Sequence, residues 1–499
     1  MPNNEFGDFQ TPDGLAEACI ALMAPPAGAR FLEPTCGRGA FLKAAMGVAP
    51  DSERRGLELN PDYADAALAY ADVECGDFFR FNPASIGWRT DGPLLVVGNP
   101  PWVTSADLRR MGSDNLPRKE NFKHAGGYEA MLGSSNFDVC EYVILKLLCS
   151  LRGRPFRLGM LCKTQVARNV VEFAAKERLP LRNASIHRID ARRWFGASVD
   201  ACWLMADMAA DGPGEYEADV YDSLDAAAPS GRFGMTDNGL VSDVAAYRAN
   251  RRGVGACPYE WRSGLKHDAA SVFELKADGG DAVARSGERL RPDGRFVLPL
   301  LKSTDVFRGN PVSRYVIVPQ LTFGGDTEVL RRDNPAVWSY LEAHGDVVDA
   351  RRSSIYQDKP RFTVFGHGGY TYAPYKVAVS GLHKELRFRL APPLDGVPVV
   401  LDDACYFLPF DDPTEACVVL ALLKSPQYTA LVSSLVFWDA KRPITKKLLS
   451  RIDMYALERD DRDVLRRAKA TARDLGLDFD RVRAEIVLSE GRGEPALRI

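Results

Sequence analysis

Apolar residues in the first half of the chain fall in short blocks, each closed by a glycine, a proline or a carboxylate. Leu94, Leu95, Val96 and Val97 form an unbroken apolar run ending at Gly98, the pattern of a buried strand. Phe31 to Leu42 reads as a strand, a turn punctuated by Gly37 and Gly39, and a helix start. Arg55 to Asn60 is another short strand, ending in the carboxylate of Glu58, and Val73 to Phe79 follows it. Asn136, Phe137 and Asp138 offer capping chemistry for an apolar helix from Val139 to Leu151. Strands alternating with helices in this way predict a doubly wound α/β sheet, with its chemistry where the strands end.

A strand from Ala201 to Met208 ends at the small-residue breaker Ala209 to Gly214. Residues 215–250 read as an edge strand, Glu217 to Asp222, followed by a connecting segment. From about residue 251 the pattern changes to short strands and turns: Glu260 to Asp268, Arg314 to Val318, Phe362 to Phe365 and Tyr375 to Val379. Residues 455–490 return to a charged, helical period. The expected division is therefore an α/β domain over residues 1–245 and an α+β domain over 246–499, ending in helices.

The turn after the buried strand carries the most specific chemistry. Asn99 brings a side-chain carbonyl, Pro100 keeps a main-chain carbonyl and lacks an N–H, Pro101 stiffens the turn, and Trp102 adds a flat face. Two acceptors beside a stacking platform suit an exocyclic amine on a planar substrate. The glycine turn from Glu33 to Gly39 matches neither GxGxxG nor a phosphate loop, which points to a nucleotide-like ligand without phosphates. Glu58 stands where a carboxylate accepts ribose hydroxyls. Asp77 can take an adenine amino group, and Phe78 the ring face.

In this order the motifs resemble those of the amino-methyltransferases that use S-adenosylmethionine, and specifically the N6-adenine DNA methyltransferases of type II restriction–modification systems. The arrangement is the gamma order of the TaqI-like enzymes. The resemblance implies a class I S-adenosylmethionine-dependent methyltransferase domain, Rossmann-like with a mixed seven-stranded sheet, and a C-terminal target-recognition domain. It implies Thr11 and Pro12 at the methionine end of the cofactor, with Glu33, Thr35, Cys36 and Gly37. Glu58 would serve the ribose, Asp77 and Phe78 the adenine, and Asn99 the junction of cofactor and target. Asn99, Pro100, Pro101 and Trp102 would then be catalytic, on adenine N6 flipped out of double-stranded DNA. Trp102 and Phe195 would stack on the flipped base, with Trp194 as the alternative to Phe195. Asn99, rather than serine, favours adenine over cytosine N4.

DNA-contacting candidates lie in four places. The polar, glycine-rich stretch between Val103 and Ser135 contains Arg109, Arg110 and Lys119; a loop of that length is unusual unless functional or disordered, and beside the active-site strand it reads as a lid or a DNA-contacting loop. Residues 351–390 hold eight Lys or Arg against Asp358 and Glu385, interleaved with aromatics such as Tyr356, Phe362 and Phe388. That mixture suits a surface tracking phosphates. Arg361 and Lys376 belong to that stretch and Lys266 and His267 precede it, while the resemblance implies His383 with Lys384 and Lys441 with Arg442 as DNA or interdomain contacts.

The remaining composition narrows the classes. At 499 residues and 46% hydrophobic the chain has ordinary globular cores. Its net charge of −3 favours no nucleic acid by itself. Ten cysteines are scattered without a CxxC pair, so neither a zinc site nor a disulfide framework is indicated. No signal peptide opens the chain, and the apolar stretch near 416–437 is broken by Lys424 and Pro426, so a cytoplasmic protein without a membrane span is expected. Partners would be double-stranded DNA and a cognate restriction endonuclease, with the enzyme itself a monomer. Methylation of RNA or of a protein glutamine is the main alternative. A weaker one is a fused endonuclease, since Asp268 with Glu274-Leu275-Lys276 faintly echoes a PD-ExK magnesium site.

Overall fold

A computed structural model describes residues 9–104, 138–320, 322 and 324–493. The chain divides into two units, residues 1–245 and 246–499. The first is built on a ten-stranded sheet in the order β10-β9-β8-β6-β7-β5-β4-β1-β2-β3. These strands are Arg30–Glu33 (β1), Glu53–Glu58 (β2), Asp72–Cys75 (β3), Leu94–Gly98 (β4), Phe156–Lys163 (β5), Leu181–Ile189 (β6), Ala201–Met208 (β7), Glu217–Tyr221 (β8), Gly231–Thr236 (β9) and Gly239–Val241 (β10).

β3, β2, β1, β4 and β5 run parallel. β7 enters antiparallel between β5 and β6. The chain winds outward from β1 to β3 and then returns to β4 beside β1. This reversal opens a crevice at the carboxyl ends of β1 and β4, the place where open α/β sheets bind ligands. β4 is buried along its whole length, as its unbroken apolar run requires.

Helices pack on this sheet: α1 Asp13–Leu22, α2 Ala40–Val48, α3 Pro61–Ala67, α4 Val139–Ser150, α5 Thr164–Lys176 and α6 Ala191–Phe195. Asp138 caps α4 by accepting from the main-chain N–H groups of Cys140 and Glu141, while Asn136 and Phe137 lie outside the described residues. Trp203 of β7 is fully buried and stacks on Phe41 of α2, with ring centroids 5.4 Å apart.

The expected edge strand is not an edge. β8 pairs parallel with β6 and antiparallel with β9, so three strands extend the seven-stranded arrangement. The continuation was hidden because β9, with sequence GRFGMT, buries only Phe233 and Gly234 and lacks apolar alternation.

The second unit holds a six-stranded and a four-stranded sheet. In the larger, Glu274–Asp278, Arg314–Ile317 and Val297–Leu301 are consecutive neighbours. In the smaller, Tyr375–Ser380 lies between Phe388–Ala391 and Cys405–Phe410. Phe362 to Phe365, expected as a strand, is instead core filling. Phe362 and Val364 are buried in the cluster around Phe273, Phe296 and Leu341, and only Phe365 bridges to Lys266. The apolar helix Pro413–Leu423 packs against Asp461–Asp474 and Arg481–Gly491. Among the described residues no single helix is long and apolar enough to cross a membrane.

Gly159 marks the tightest point of the β5–β7 core. A Cβ there would lie 2.4 Å from a ring carbon of Trp203 and 2.7 Å from the sulfur of Met23. Trp203 is held by Phe41 and cannot retreat. Gly159→Ala is therefore expected to cost about 1–3 kcal/mol, the range for overpacking, measured by urea unfolding.

Candidate active site

A cavity of about 500 Å³ opens where β1, β2, β3 and β4 end. Each strand delivers one chemical element to it. β1 brings Glu33 and then the turn Pro34 to Gly39. Gly37 and Gly39 adopt left-handed backbone, φ +54° and +81°, and a Cβ on Gly39 would meet Ala67 of α3 at 3.0 Å. Those two glycines let the turn fold tightly and start α2 at Ala40.

β2 ends in Glu58, whose carboxylate accepts from the main-chain N–H of Gly37 at 2.8 Å and of Asn60 at 2.9 Å. It therefore ties the end of β2 to the glycine turn. Asn60 in turn caps α3, accepting from Asp62 and Tyr63. β3 leads into Gly76, Asp77, Phe78 and Phe79, and β4 into Asn99 and Pro101, which all line the cavity.

The N-terminal segment spans the gap between these motifs. Gln10 Oε1 accepts from the N–H of Arg38 at 3.1 Å. Asn99 Nδ2 donates to the carbonyl of Phe9 at 2.9 Å and to Thr11 Oγ1 at 3.2 Å. A main-chain carbonyl can only accept, so it fixes which end of the amide faces it. Oδ1 is left as the free acceptor.

Three buried oxygens in the cavity wall have no hydrogen-bond partner: Glu33 Oε2, Thr35 Oγ1 and Asn99 Oδ1. Unsatisfied buried groups cost about 1–3 kcal/mol each, and their convergence on one cavity marks it as built for a ligand. Burial pushes the Glu33 carboxyl well above the usual carboxylate range, and the charge of Glu58 adds to the rise. Burial likewise raises the Cys36 thiol, with Glu33 and Glu58 adding to it. A cationic and hydroxyl-bearing ligand would relieve this environment. That is the chemistry of S-adenosylmethionine, and the residues present fit it.

Of the expected cofactor positions, Thr11, Glu33, Thr35, Cys36, Gly37, Glu58, Asp77, Phe78 and Asn99 all line the cavity. Pro12 instead starts α1, its carbonyl accepting from Leu15 and Ala16. Pro100 is buried, and Pro101 lines the cavity. Trp102 is only 6% exposed, and its indole N–H donates to the carbonyl of Leu161 at 3.3 Å.

Trp102, Phe195 and Phe9 form an aromatic trio. Trp102 and Phe195 meet edge-on at 5.2 Å, and Phe9 lies 5.8 Å from Phe195 and 6.0 Å from Trp102. Phe195, at the end of α6, remains half-buried. Trp194 is covered by the guanidinium of Arg193 at 5.1 Å and does not join the trio. Phe9 is absent from the sequence reading, and Asn60 enters it only as the end of a strand, without its capping role. Asn60-Pro61 carries a readable cap signal, whereas nothing in the local sequence singles out Phe9.

The basic, aromatic stretch 351–390 is mostly spent on the fold of its own unit. Lys376, expected at a DNA surface, is only 1% exposed on a central strand. Its Nζ donates to the carbonyl of Ala373, and burial lowers its pKa to about 7. Arg351 donates to the carbonyls of Val348, Thr363 and Arg361, and Arg389 to those of Asp305 and Asn310. Arg361 pairs with Asp349 and Arg387 with Glu385. Phe362 and Phe388 are core residues.

Lys266 pairs with Asp268 at 3.4 Å. His267 stacks on Phe273 and contacts Glu274 at 3.3 Å. Glu274 also receives Lys302; although its burial opposes the charge, the hydrogen bonds from His267 and Lys302 hold its pKa down to about 2. The carboxylate in the PD-ExK-like pattern is thus occupied by the Lys302 ammonium and the His267 ring.

A different cluster stays open. Lys384, Lys441 and Arg442 are exposed. His383 stacks on Phe307 at 4.0 Å, with Arg387 over the Phe307 ring at 4.5 Å. Gly381 approaches the carbonyl of Ile444, which a Cβ would meet at 3.3 Å, so the 382–384 and 441–444 turns adjoin. Arg442 lies 3.6 Å from Asp403. Arg109, Arg110 and Lys119 lie outside the described residues.

Sheet order, crevice and cavity define a class I S-adenosylmethionine-dependent methyltransferase, and S-adenosylmethionine is its cofactor. No protein-family model matches the chain. It is 36% identical over 469 residues to the Type II methyltransferase M.NspV of Nostoc sp. (strain ATCC 29411 / PCC 7524), covering 91% of this chain and 97% of that one. The chain belongs to the Type II methyltransferases, enzymes of restriction–modification systems. A shorter match, 34% identical over 98 residues, joins it to a Type II methyltransferase of Thermus thermophilus, covering 19% of this chain and 21% of that one. Among solved structures, the Type IIL restriction–modification enzyme MmeI in complex with DNA shares the fold at a TM-score of 0.52 and 11% identity, covering 98% of this chain and 70% of MmeI.

The Asn99 clamp yields a direct expectation. Thr11→Val removes one of the two acceptors that hold Nδ2, a loss of about 0.5–1.5 kcal/mol. The turnover number for methyl transfer should fall roughly 2- to 12-fold, and Thr11→Ser, which keeps the hydroxyl, should stay near wild type in the same assay.

Proposed function

We propose that the enzyme methylates N6 of adenine at a specific site in double-stranded DNA, as the modification partner of a restriction endonuclease. The observation that carries this reading is the buried, unpartnered Asn99 Oδ1, aimed by the Phe9 carbonyl and lying next in sequence to the Pro100 carbonyl.

Bound S-adenosylmethionine supplies an electrophilic methyl group on a sulfonium. In this reading Glu33, Thr35, Cys36, Gly37 and Thr11 hold its methionine end, Glu58 its ribose, and Asp77 with Phe78 its adenine. The lone pair of adenine N6 is delocalised into the ring. When Asn99 Oδ1 and the Pro100 carbonyl accept its two N–H bonds, that lone pair is localised on nitrogen and the positive charge that develops there is stabilised. No strong base is required, because the surplus proton is acidic once the new N–C bond has formed and passes to water. Holding nitrogen in line for attack contributes up to about 7–11 kcal/mol.

N6 inside a duplex is out of reach, so the base must leave the stack at a cost of a few kcal/mol. Phe195, half-buried at the end of α6, is suited to receive one of its faces, whereas Trp102, buried and already edge-on to Phe195, backs that ring and does not take the second face. The exposed Lys384 and Lys441 carry the phosphate contacts in this reading, since Arg361, Lys266, His267, His383 and Arg442 already have partners within the fold. The enzyme acts as a monomer, visiting the two strands of its site in turn.

Incubation with tritiated S-adenosylmethionine and mixed genomic DNA, followed by digestion to nucleosides, tests the reading. Wild type is expected to yield labelled N6-methyladenine, and Asn99→Ala to lose roughly 10²–10³-fold or more in rate with cofactor affinity nearly unchanged. Label in N4-methylcytosine, in RNA or in protein alone would overturn it.

A further inference from the structure

Lys146 is a buried cation that the mechanism above does not use. It lies on α4, three residues after Val143 and seven after Val139, both of which line the cavity, so the three share a helix face. The side chain is nearly inaccessible, 7% exposed. Its Nζ donates to the carbonyls of Phe78 at 2.7 Å and Phe79 at 3.0 Å. The same ammonium sits 4.9 Å from the centroid of the Phe78 ring. Burying an ammonium is costly, and here it is spent on fastening one turn.

That turn is the cavity wall between Gly76 and Phe79. Asp77 Oδ1 accepts from the N–H of Phe79 at 2.8 Å, and the Phe79 ring packs on Tyr142 of α4 at 5.2 Å. Lys146 thus holds the main chain at Phe78 and Phe79 and polarises the Phe78 ring from within the protein. We infer that Lys146 is the positioning residue of the subsite for the cofactor's nucleoside, keeping Asp77 and Phe78 in register to receive its adenine. The inference rests on the reading that Asp77 and Phe78 form that subsite.

The environment of the ammonium is simple. The charge acting on it is that of Asp77, which Arg80 approaches at 3.6 Å. The acidic groups at the start of its own helix are engaged elsewhere, Asp138 with Lys163 at 2.8 Å and Glu141 with Asn169 at 2.8 Å. Burial lowers the Lys146 pKa to about 8, with Asp77 opposing the drop. The charged form that grips the two carbonyls is therefore lost as pH rises through that value, and nucleoside affinity should fall with it.

The test is the dissociation constant of 5′-methylthioadenosine, measured by titration calorimetry across this pH range. The probe carries the nucleoside and no amino-acid group to titrate. Wild-type affinity is expected to decline above about pH 8. Lys146→Met should bind roughly tenfold or more weakly, the scale of a lost charge-assisted hydrogen bond, and without the pH transition. Lys146→Arg, charged throughout, should also lack the transition. At saturating S-adenosylmethionine the Lys146→Met turnover number should stay near wild type while KM for the cofactor rises, which general damage to the fold would not produce. Asp77→Ala and Phe78→Ala separate the two levels of the argument. If both lose affinity while Lys146→Met matches wild type in affinity and pH profile, the role of Lys146 is overturned and the subsite stands. If both bind as wild type, the subsite falls, and Lys146 with it. Should Lys146→Met not fold, Lys146→Gln takes its place in the same titration: an affinity equal to wild type overturns the inference.

Discussion

The main-chain carbonyl of Phe9 decides what the active site can do. It accepts from the Asn99 amide and thereby orients it, leaving an oxygen rather than a nitrogen in the cavity. A freely rotating amide would present donor and acceptor in turn and would discriminate poorly against a substrate lacking an N–H to give. Thr11 adds a second contact to the same nitrogen, and Gln10 anchors the segment to the glycine turn. Three consecutive residues thus join the two ends of the cavity, and an unpartnered acceptor is maintained at a cost that only a ligand can relieve.

The sheet explains why this arrangement is available. With β1 and β4 adjacent and parallel, the turns that follow them open side by side, and Glu33 and Asn99 come from neighbouring strand ends. This much was legible in the sequence. The all-apolar run Leu94 to Val97 announces a strand covered on both faces, glycines at 37 and 39 announce a tight strand-to-helix turn, and carboxylates at 33 and 58 stand at strand ends. The cavity gathers nine of the ten cofactor positions expected from motif order, all but Pro12. Phe9 and Lys146 were not legible, because their roles depend on main-chain carbonyls. A carbonyl carries no side-chain identity, and a lysine on an apolar helix gives no sign of which carbonyls it will meet.

The second unit was harder to read for a related reason. Counting arginines and lysines between 351 and 390 suggested a phosphate-binding face, but a guanidinium serves a carbonyl or a carboxylate as readily as a phosphate. Arg351 and Arg389 close loops onto their own main chain, and Lys376 sits on a strand flanked on both sides. Among the expected contacts, exposure taken together with ion pairing, not composition, separates Lys384 and Lys441 from Arg361, which is equally exposed but held by Asp349. Similarly, β9 and β10 extend the first sheet without apolar alternation, since β9 need only satisfy the hydrogen-bonding edge of β8 and β10 that of β9.

Asn99→Asp examines the oriented amide most directly, through the single-turnover rate of methyl transfer as a function of pH. A protonated carboxyl can mimic the amide, its O–H donating to the Phe9 carbonyl and its other oxygen accepting from the substrate. The ionised form cannot, because it repels that carbonyl. The account predicts that the variant, compared with wild type at each pH, gains activity as pH is lowered through the titration of this carboxyl. A rate that instead rises with ionisation would contradict it, and would mean that the position serves as a base and not as an oriented acceptor.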